Sequence, residues 1–216
     1  MNNPDEAWYD YSSRHSAPEP EWLRGAVRNT HLRHINPRML SGHVQGRLLS
    51  LFSHLVRPKL VLDIGTFTAY SALCLAEGLA HGGKIITLEI DHELERSIRA
   101  HIAASPFEAV IEPVFTDALQ WLKEHVFLKP DLVYLDADKR RYPEYLEVLL
   151  PMMQPGALLI ADNTLWSGKV LDVKEVEHDE DTRVIDEFNK KLAATSNLDV
   201  LMLPLRDGMS VVRKRD

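Results

Sequence analysis

Cysteine is nearly missing from this chain. Cys74 is the only one in 216 residues, so no internal disulfide can form and a reducing compartment fits. It sits inside an apolar helical pattern and reads as a small core residue. Long apolar runs are missing as well; none approaches the ~20 residues that a bilayer-spanning helix needs. The N-terminus, MNNPDEAWYDYSSRH, is polar and lacks the apolar segment of a signal peptide. Positive charge is in deficit, with 25 Lys and Arg against 32 Asp and Glu and a formal net charge of −7, which disfavours a duplex nucleic acid as partner. There are no internal repeats and no low-complexity tracts. What remains is ordinary globular composition, 45% hydrophobic and 26% charged, in a length that supports one sizeable core. A cytoplasmic, soluble protein with a single domain over 1–216 and no membrane partner is expected.

Residues 1–20 are polar, end in Ala17-Pro18-Glu19-Pro20, and read as a loosely structured lead-in; 21–35 have weak helical character, and Asn36-Pro37 breaks the chain. Val44, Leu48, Leu51, Phe52 and Leu55 recur at helical spacing and predict an amphipathic helix over 43–55, closed by Pro58. Strands and helices then alternate. Strands are expected at 59–65, 84–91, 109–115, 131–137 and 157–163. Helices are expected at 71–80, around Leu94–Ile102, behind a Thr116-Asp117 cap, from Pro143, and from a Thr182 cap. The acidic run 175–181 reads as a solvated face or loop. The tail adds two strands across Arg206-Asp207-Gly208, close enough in sequence to pair antiparallel. This pattern specifies an α/β fold: a doubly wound, mostly parallel seven-stranded sheet with helices on both faces and an antiparallel last strand.

In such sheets ligands bind beyond the carboxyl ends of the strands. Every polar break falls there: Asp63-Ile-Gly65, Glu89-Ile-Asp91, Thr116-Asp117, Asp136-Ala-Asp138-Lys139 and Asp162-Asn163. In DIGTFTAYS (63–71) only Gly65 supplies the tight turn, and Phe67 and Ala69 stand where a dinucleotide loop has further glycines. The loop suits a nucleoside ligand better than a dinucleotide, though it is equally compatible with a structural turn. Glu89 is placed to accept both hydroxyls of a ribose, with Asp117 and Ala118 flanking a base, or it is an ordinary solvated strand end. Asp136, Asp162 and Asn163 offer three hard oxygens, suited to Mg²⁺, Mn²⁺ or Ca²⁺; Asp162-Asn163 is also a common turn pair. Lys139 beside such a cation could serve as a general base, or pair with Asp138 at the surface. His31, His34 and His43 lack the cysteines and the second cluster of a zinc site. Arg140 and Arg141 read as surface residues, one of which could guide an acidic substrate.

Together these residues resemble the cation-dependent O-methyltransferases, the caffeoyl-CoA and catechol O-methyltransferase family. MLSGHVQGRLL is similar to the helix before the methyl-donor site, LDIGTFTAYSAL to the family's first motif with Ala69 in place of a common glycine, and DADK plus ADNTLWSGKV to its metal signature; the DGxxVVRK ending also fits. The resemblance covers about Glu19 to the end. It implies a Rossmann-like methyltransferase that moves a methyl group from S-adenosylmethionine to one hydroxyl of a vicinal dihydroxy aromatic. It further implies Asp136, Asp162 and Asn163 as metal ligands and Lys139 as base. Met39, Ser41, Gly65, Thr66, Phe67, Ser71, Glu89, Asp117, Ala118 and Asp136 would contact the donor, and Trp166 and the 164–170 segment would border the acceptor pocket. Residues 1–42 would cover the active site, and a homodimer is implied. A nicotinamide-dependent oxidoreductase on a similar sheet and a tRNA-modifying O-methyltransferase are the alternative readings.

Overall fold

The computed structural model describes residues 4–216, with side-chain surroundings from residue 7 onward, so the first three residues of the expected lead-in lie outside the described residues. The strands are β1 (Leu60–Ile64), β2 (Lys84–Glu89), β3 (Ile111–Phe115), β4 (Leu132–Leu135), β5 (Leu158–Asp162), β6 (Leu198–Leu203) and β7 (Met209–Lys214). They form one sheet in the order β3-β2-β1-β4-β5-β7-β6. The first five are parallel neighbours, and β7 enters antiparallel between β5 and β6. The expected seven-stranded sheet with an antiparallel last strand is therefore present.

Helices α1 (Pro4–Arg14), α2 (Glu21–Arg33), α3 (His43–Val56), α4 (Tyr70–Ala76), α5 (Glu95–Ala103), α6 (Ala118–Glu124), α7 (Tyr142–Met152), α8 (Val173–His178) and α9 (Glu180–Ala194) surround the sheet. Both faces of the strands are buried, which is why they read as continuous apolar runs. Side chains alternate with the period of two that a strand imposes. Leu62, Ile64, Val133, Leu135, Leu159 and Ala161 pack with α6, α7 and α9. Val61, Leu132, Tyr134, Leu158 and Ile160 pack with α2 to α5.

Four expectations are corrected. The lead-in is not loose: 4–14 form α1, where Arg14 in the last turn donates to the Asp10 carbonyl (3.3 Å) and Tyr11 stacks on His15 at 4.1 Å. The acidic run is a solvated face, as expected, carried by α8 and the start of α9, but Asp179, not Thr182, caps α9 by accepting from the Asp181 N–H. α4 is shorter than expected and stops at Ala76. The fourth concerns α3, whose limits match but whose buried face does not. Leu51 and Leu55 are 54% and 72% exposed, while Gln45, Gly46, Leu49, Ser50 and Ser53 face inward. Close approach to α4 explains this. A Cβ at Gly46 would collide with the Tyr70 ring, and one at Gly78 with the backbone of Ser53 and His54. Only small side chains fit between the two helices, so Leu51 and Leu55 are turned outward while Leu48 and Phe52 keep partial contact with the core. Among the described residues, no helix is long and apolar enough to cross a membrane.

Asp63 is wholly buried near the end of β1, where its carboxylate accepts from the Thr87 hydroxyl at 2.6 Å. Burial is the largest cause pushing its pKa up, to about 7 from 3.8, with the Thr87 and Ser71 hydroxyls pulling it back and Asp136 and Glu89 adding repulsion. The folded state thus holds this proton more tightly than the unfolded chain does. The contribution of Asp63 to stability falls as pH rises from about 4 to about 7 and is flat above that, by at most about 4 kcal/mol. Urea unfolding of wild type and Asp63→Asn will show a gap that widens in favour of the Asn variant across this window; parallel curves would refute it. Gly78→Ala will lower unfolding free energy by about 1–3 kcal/mol through forced separation of α3 from Gly78, read as a lower urea midpoint at unchanged slope.

Candidate active site

A cavity of about 1250 Å³ opens at the carboxyl ends of the parallel strands. Its floor is built from the strand tips. The register row Ile64–Leu135–Ala161 ends the parallel core, and one step on lie Gly65, Asp136 and Asp162. Gly65 has φ 100°, and a Cβ there would be driven into the Asp136 carbonyl, so the two strand tips can meet only at a glycine. Phe67 (φ 49°) and Ala69 (φ 69°) also adopt the left-handed backbone, where a side chain costs about 1 kcal/mol or more. Glu89 fixes this loop. Its carboxylate accepts from the backbone N–H of Phe67 (2.7 Å), Ile90 and Asp91 (both 2.9 Å), and it lines the cavity.

The other end of the floor holds the oxygen-rich group. Asp162 Oδ2 accepts from the Tyr134 hydroxyl (2.8 Å) and from Gln45 Nε2 (2.6 Å), and its Oδ1 accepts from the Asn163 N–H at 2.8 Å. Burial first, and the nearby Asp136 charge second, push the Asp162 pKa up. Lys139 Nζ answers this negative charge: it donates to Asp136 Oδ1 (2.6 Å) and to the Ala137 carbonyl (3.0 Å). Tyr142, fully buried at the start of α7, clasps the two strand tips by sharing its hydroxyl between the carbonyls of Leu135 (2.9 Å) and Asp162 (3.0 Å). Asn163 is in left-handed backbone at φ 58° and faces the cavity. Among the described residues, Asp136 Oδ2 and Asn163 Oδ1 accept no side-chain or backbone hydrogen bond, so oxygens with spare lone pairs line this end. Among the same residues no three His, Cys, Asp or Glu side chains form a metal-holding group; the set is two carboxylates and one amide.

The remaining sequence-derived residues divide into two groups. Met39, Gly65, Phe67, Glu89, Asp117, Ala118, Asp136, Lys139, Asp162 and Asn163 all line the one cavity. Ser41, Thr66, Ser71 and Trp166 do not. Ser41 lies behind the wall, 3.5 Å from the Tyr134 hydroxyl. Thr66 bonds Thr87 at 2.6 Å, and Ser71 is buried toward Asp63. Of the 164–170 segment expected at the acceptor pocket, Trp166 packs on the core shared with α7 and α9, and Ser167 lines the cavity. The reason is a backbone kink: Trp166, Ser167 and Gly168 all have positive φ. Asp117 caps α6 through the Gln120 N–H (2.8 Å), and the Arg141 guanidinium at 2.6 Å holds its pKa below the usual carboxylate range. Arg141 is thereby engaged, and Arg140 pairs with Asp181 at 2.6 Å. The histidines do not converge: His34 Nε2 meets Ser97 at 3.0 Å, and His43 lies 3.9 Å from Glu19. Gln45 and Tyr134 were not recognised from sequence as site residues. A glutamine inside VQGRLLSLF and a tyrosine inside the strand LVYL were the available signals, polar atoms placed where burial demands a partner.

The O-methyltransferase family profile matches residues 13–215. The chain is 32% identical over 174 residues to the mouse catechol O-methyltransferase domain-containing protein 1, covering 79% of this chain and 66% of that protein. It is 30% identical over 208 residues to tobacco caffeoyl-CoA O-methyltransferase 1, covering 91% and 85%. Among solved structures, the Bacillus cereus O-methyltransferase in complex with SAH superposes with a TM-score of 0.88 at 25% identity over 97% of each chain. The Streptomyces achromogenes O-methyltransferase TomG in complex with SAM gives 0.86 at 26% identity over 95% of each. With a floor of strand-tip carboxylates and a profile match over nearly its whole length, the chain belongs to the O-methyltransferase family.

Proposed function

We propose that this chain transfers the methyl group of S-adenosylmethionine to one hydroxyl of a vicinal dihydroxy aromatic, with a divalent cation held by Asp136, Asp162 and Asn163. The observation that supports the reading is that those three residues and Lys139, which is bonded to Asp136, line the same cavity as Glu89 and Asp117. The donor set fits Mg²⁺, Mn²⁺ or Ca²⁺: the ligands are hard oxygens with free lone pairs, and the buried Asp162 beside Asp136 leaves excess negative charge for a cation to neutralise. When bound, such a cation supplies Lewis acidity that makes a hydroxyl easier to ionise.

The chain's own residues then have defined tasks. Glu89, rigid through its three backbone bonds, orients the donor's ribose, and Asp117 and Ala118 border the adenine. With Asp136 turned to the cation, Lys139 gives up its ion pair and, as the free amine, takes the proton of the reacting hydroxyl at Nζ. The oxygen lone pair forms the new C–O bond as the C–S bond breaks, and the sulfonium leaves as the neutral thioether of S-adenosylhomocysteine. Holding donor and acceptor in line is the main source of rate. A small-molecule acceptor suits the closed floor. The exposed apolar residues Leu51 and Leu55 on α3 support the homodimer reading, which light scattering measures.

Transfer of a labelled methyl group to a panel of phenols tests the reading. Vicinal diols will be methylated, monohydroxy phenols will react at least about 100-fold more slowly, and Lys139→Ala will lower kcat by about 10²–10⁴. EDTA will abolish turnover, and Mg²⁺ or Mn²⁺ will restore it. Undiminished methylation of a catechol in EDTA would sink the cation's role.

A further inference from the structure

The turn between β6 and β7 reaches both walls of the cavity mouth. Toward one wall the Arg206 guanidinium donates to the carbonyls of Leu40 (2.8 Å), Ser41 and, at 3.5 Å, Arg38. Toward the other, the N–H groups of Leu165 and Thr164 donate to the carbonyls of Asp207 (2.8 Å) and Gly208 (3.1 Å). The Asp207 side chain adds two contacts. Its Oδ1 accepts from the Ser167 N–H, and its Oδ2 accepts from Asn163 Nδ2 in a long contact of 3.4 Å. The turn can lie this close only because residue 208 is a glycine at φ 84°; a Cβ would strike Leu165. Arg206, Asp207, Ser167 and Asn163 all line the cavity.

An ionised carboxylate only accepts hydrogen bonds. Asp207 can therefore face only the NH₂ end of the Asn163 amide, and the amide oxygen is turned away from it. We propose that Asp207 is a positioning residue that directs the Asn163 oxygen into the cavity, and that Arg206 ties residues 38–41 to the same turn, so that one turn fixes the spacing of both walls. The consequence for cation binding rests on the function proposed above. The mechanical part, two walls held by one turn, stands on the hydrogen bonds alone. Side chains behind a metal ligand that fix its orientation commonly matter about 10- to 100-fold for affinity.

Three measurements on the full chain decide it: Mn²⁺ titration followed by electron paramagnetic resonance, S-adenosylhomocysteine binding by calorimetry, and amide exchange by mass spectrometry. Asp207→Asn keeps the size of the side chain but sets an NH₂ group against one of its two donors. It will raise the Mn²⁺ dissociation constant about 10-fold or more, speed exchange over 163–168, and leave S-adenosylhomocysteine affinity within about 2-fold. Arg206→Met will speed exchange over 38–42 and raise the acceptor KM more than it lowers kcat, with Arg206→Lys recovering part of the loss. Unchanged exchange at 163–168 in Asp207→Asn, or equal loss of Mn²⁺ and S-adenosylhomocysteine affinity, overturns the proposal. A wild-type chain that binds no Mn²⁺ would instead defeat the functional reading, and the exchange data would still decide whether the turn holds the walls.

Discussion

Two carboxylates, Asp136 and Asp162, are forced together at adjacent strand tips, one of them buried. Like charges at such range in a poorly hydrated site raise each other's energy unless something positive lies between or beside them. In this structure the positive partner is Lys139, 2.6 Å from Asp136. Around the pair the chain has assembled donors at considerable cost in buried polarity: the Tyr134 hydroxyl, the Gln45 amide and the Asn163 N–H all point at Asp162. Stability alone does not require this group, since an apolar replacement of similar volume is commonly as stable or more so. Under the proposed function, the cluster is a place for a cation to bind and for a proton to be moved.

The rest of the fold serves to hold that geometry. Parallel register fixes which residues sit at the tips, Gly65 lets β1 and β4 approach without a Cβ between them, and the Tyr142 hydroxyl clasps β4 to β5. α3 is packed against α4 by small residues, and Gln45 reaches Asp162 on the face of the sheet that α3 covers. The exposed Leu51 and Leu55 are the visible consequence. The Glu89 end and the oxygen-rich end thus line one cavity.

Much of this was legible in the chain itself. The continuous apolar runs of β1, β2, β4 and β5 are what strands buried on both faces must look like, and each breaks into polar residues where the sheet ends. Most of the floor residues could be named for that reason. The failures share a cause: they depend on packing between distant segments. The inner face of α3 was misread because helical periodicity identifies an apolar stripe but not which side of a helix another helix will approach. Which residue of 164–170 faces the cavity depends on three consecutive positive-φ residues, and only Gly168 among them announces such a backbone. The lead-in formed α1 although its composition is polar. The bonds from Asp207 to Asn163 and from Arg206 to residues 38–41 span more than forty positions and leave no local pattern.

The most direct measurement is anomalous diffraction from crystals grown with Mn²⁺ and S-adenosylhomocysteine. A single strong manganese peak within ligating distance of Asp136, Asp162 and Asn163, next to the thioether sulfur, is the result this account requires. Three side chains turned away from one another with no peak between them would contradict it.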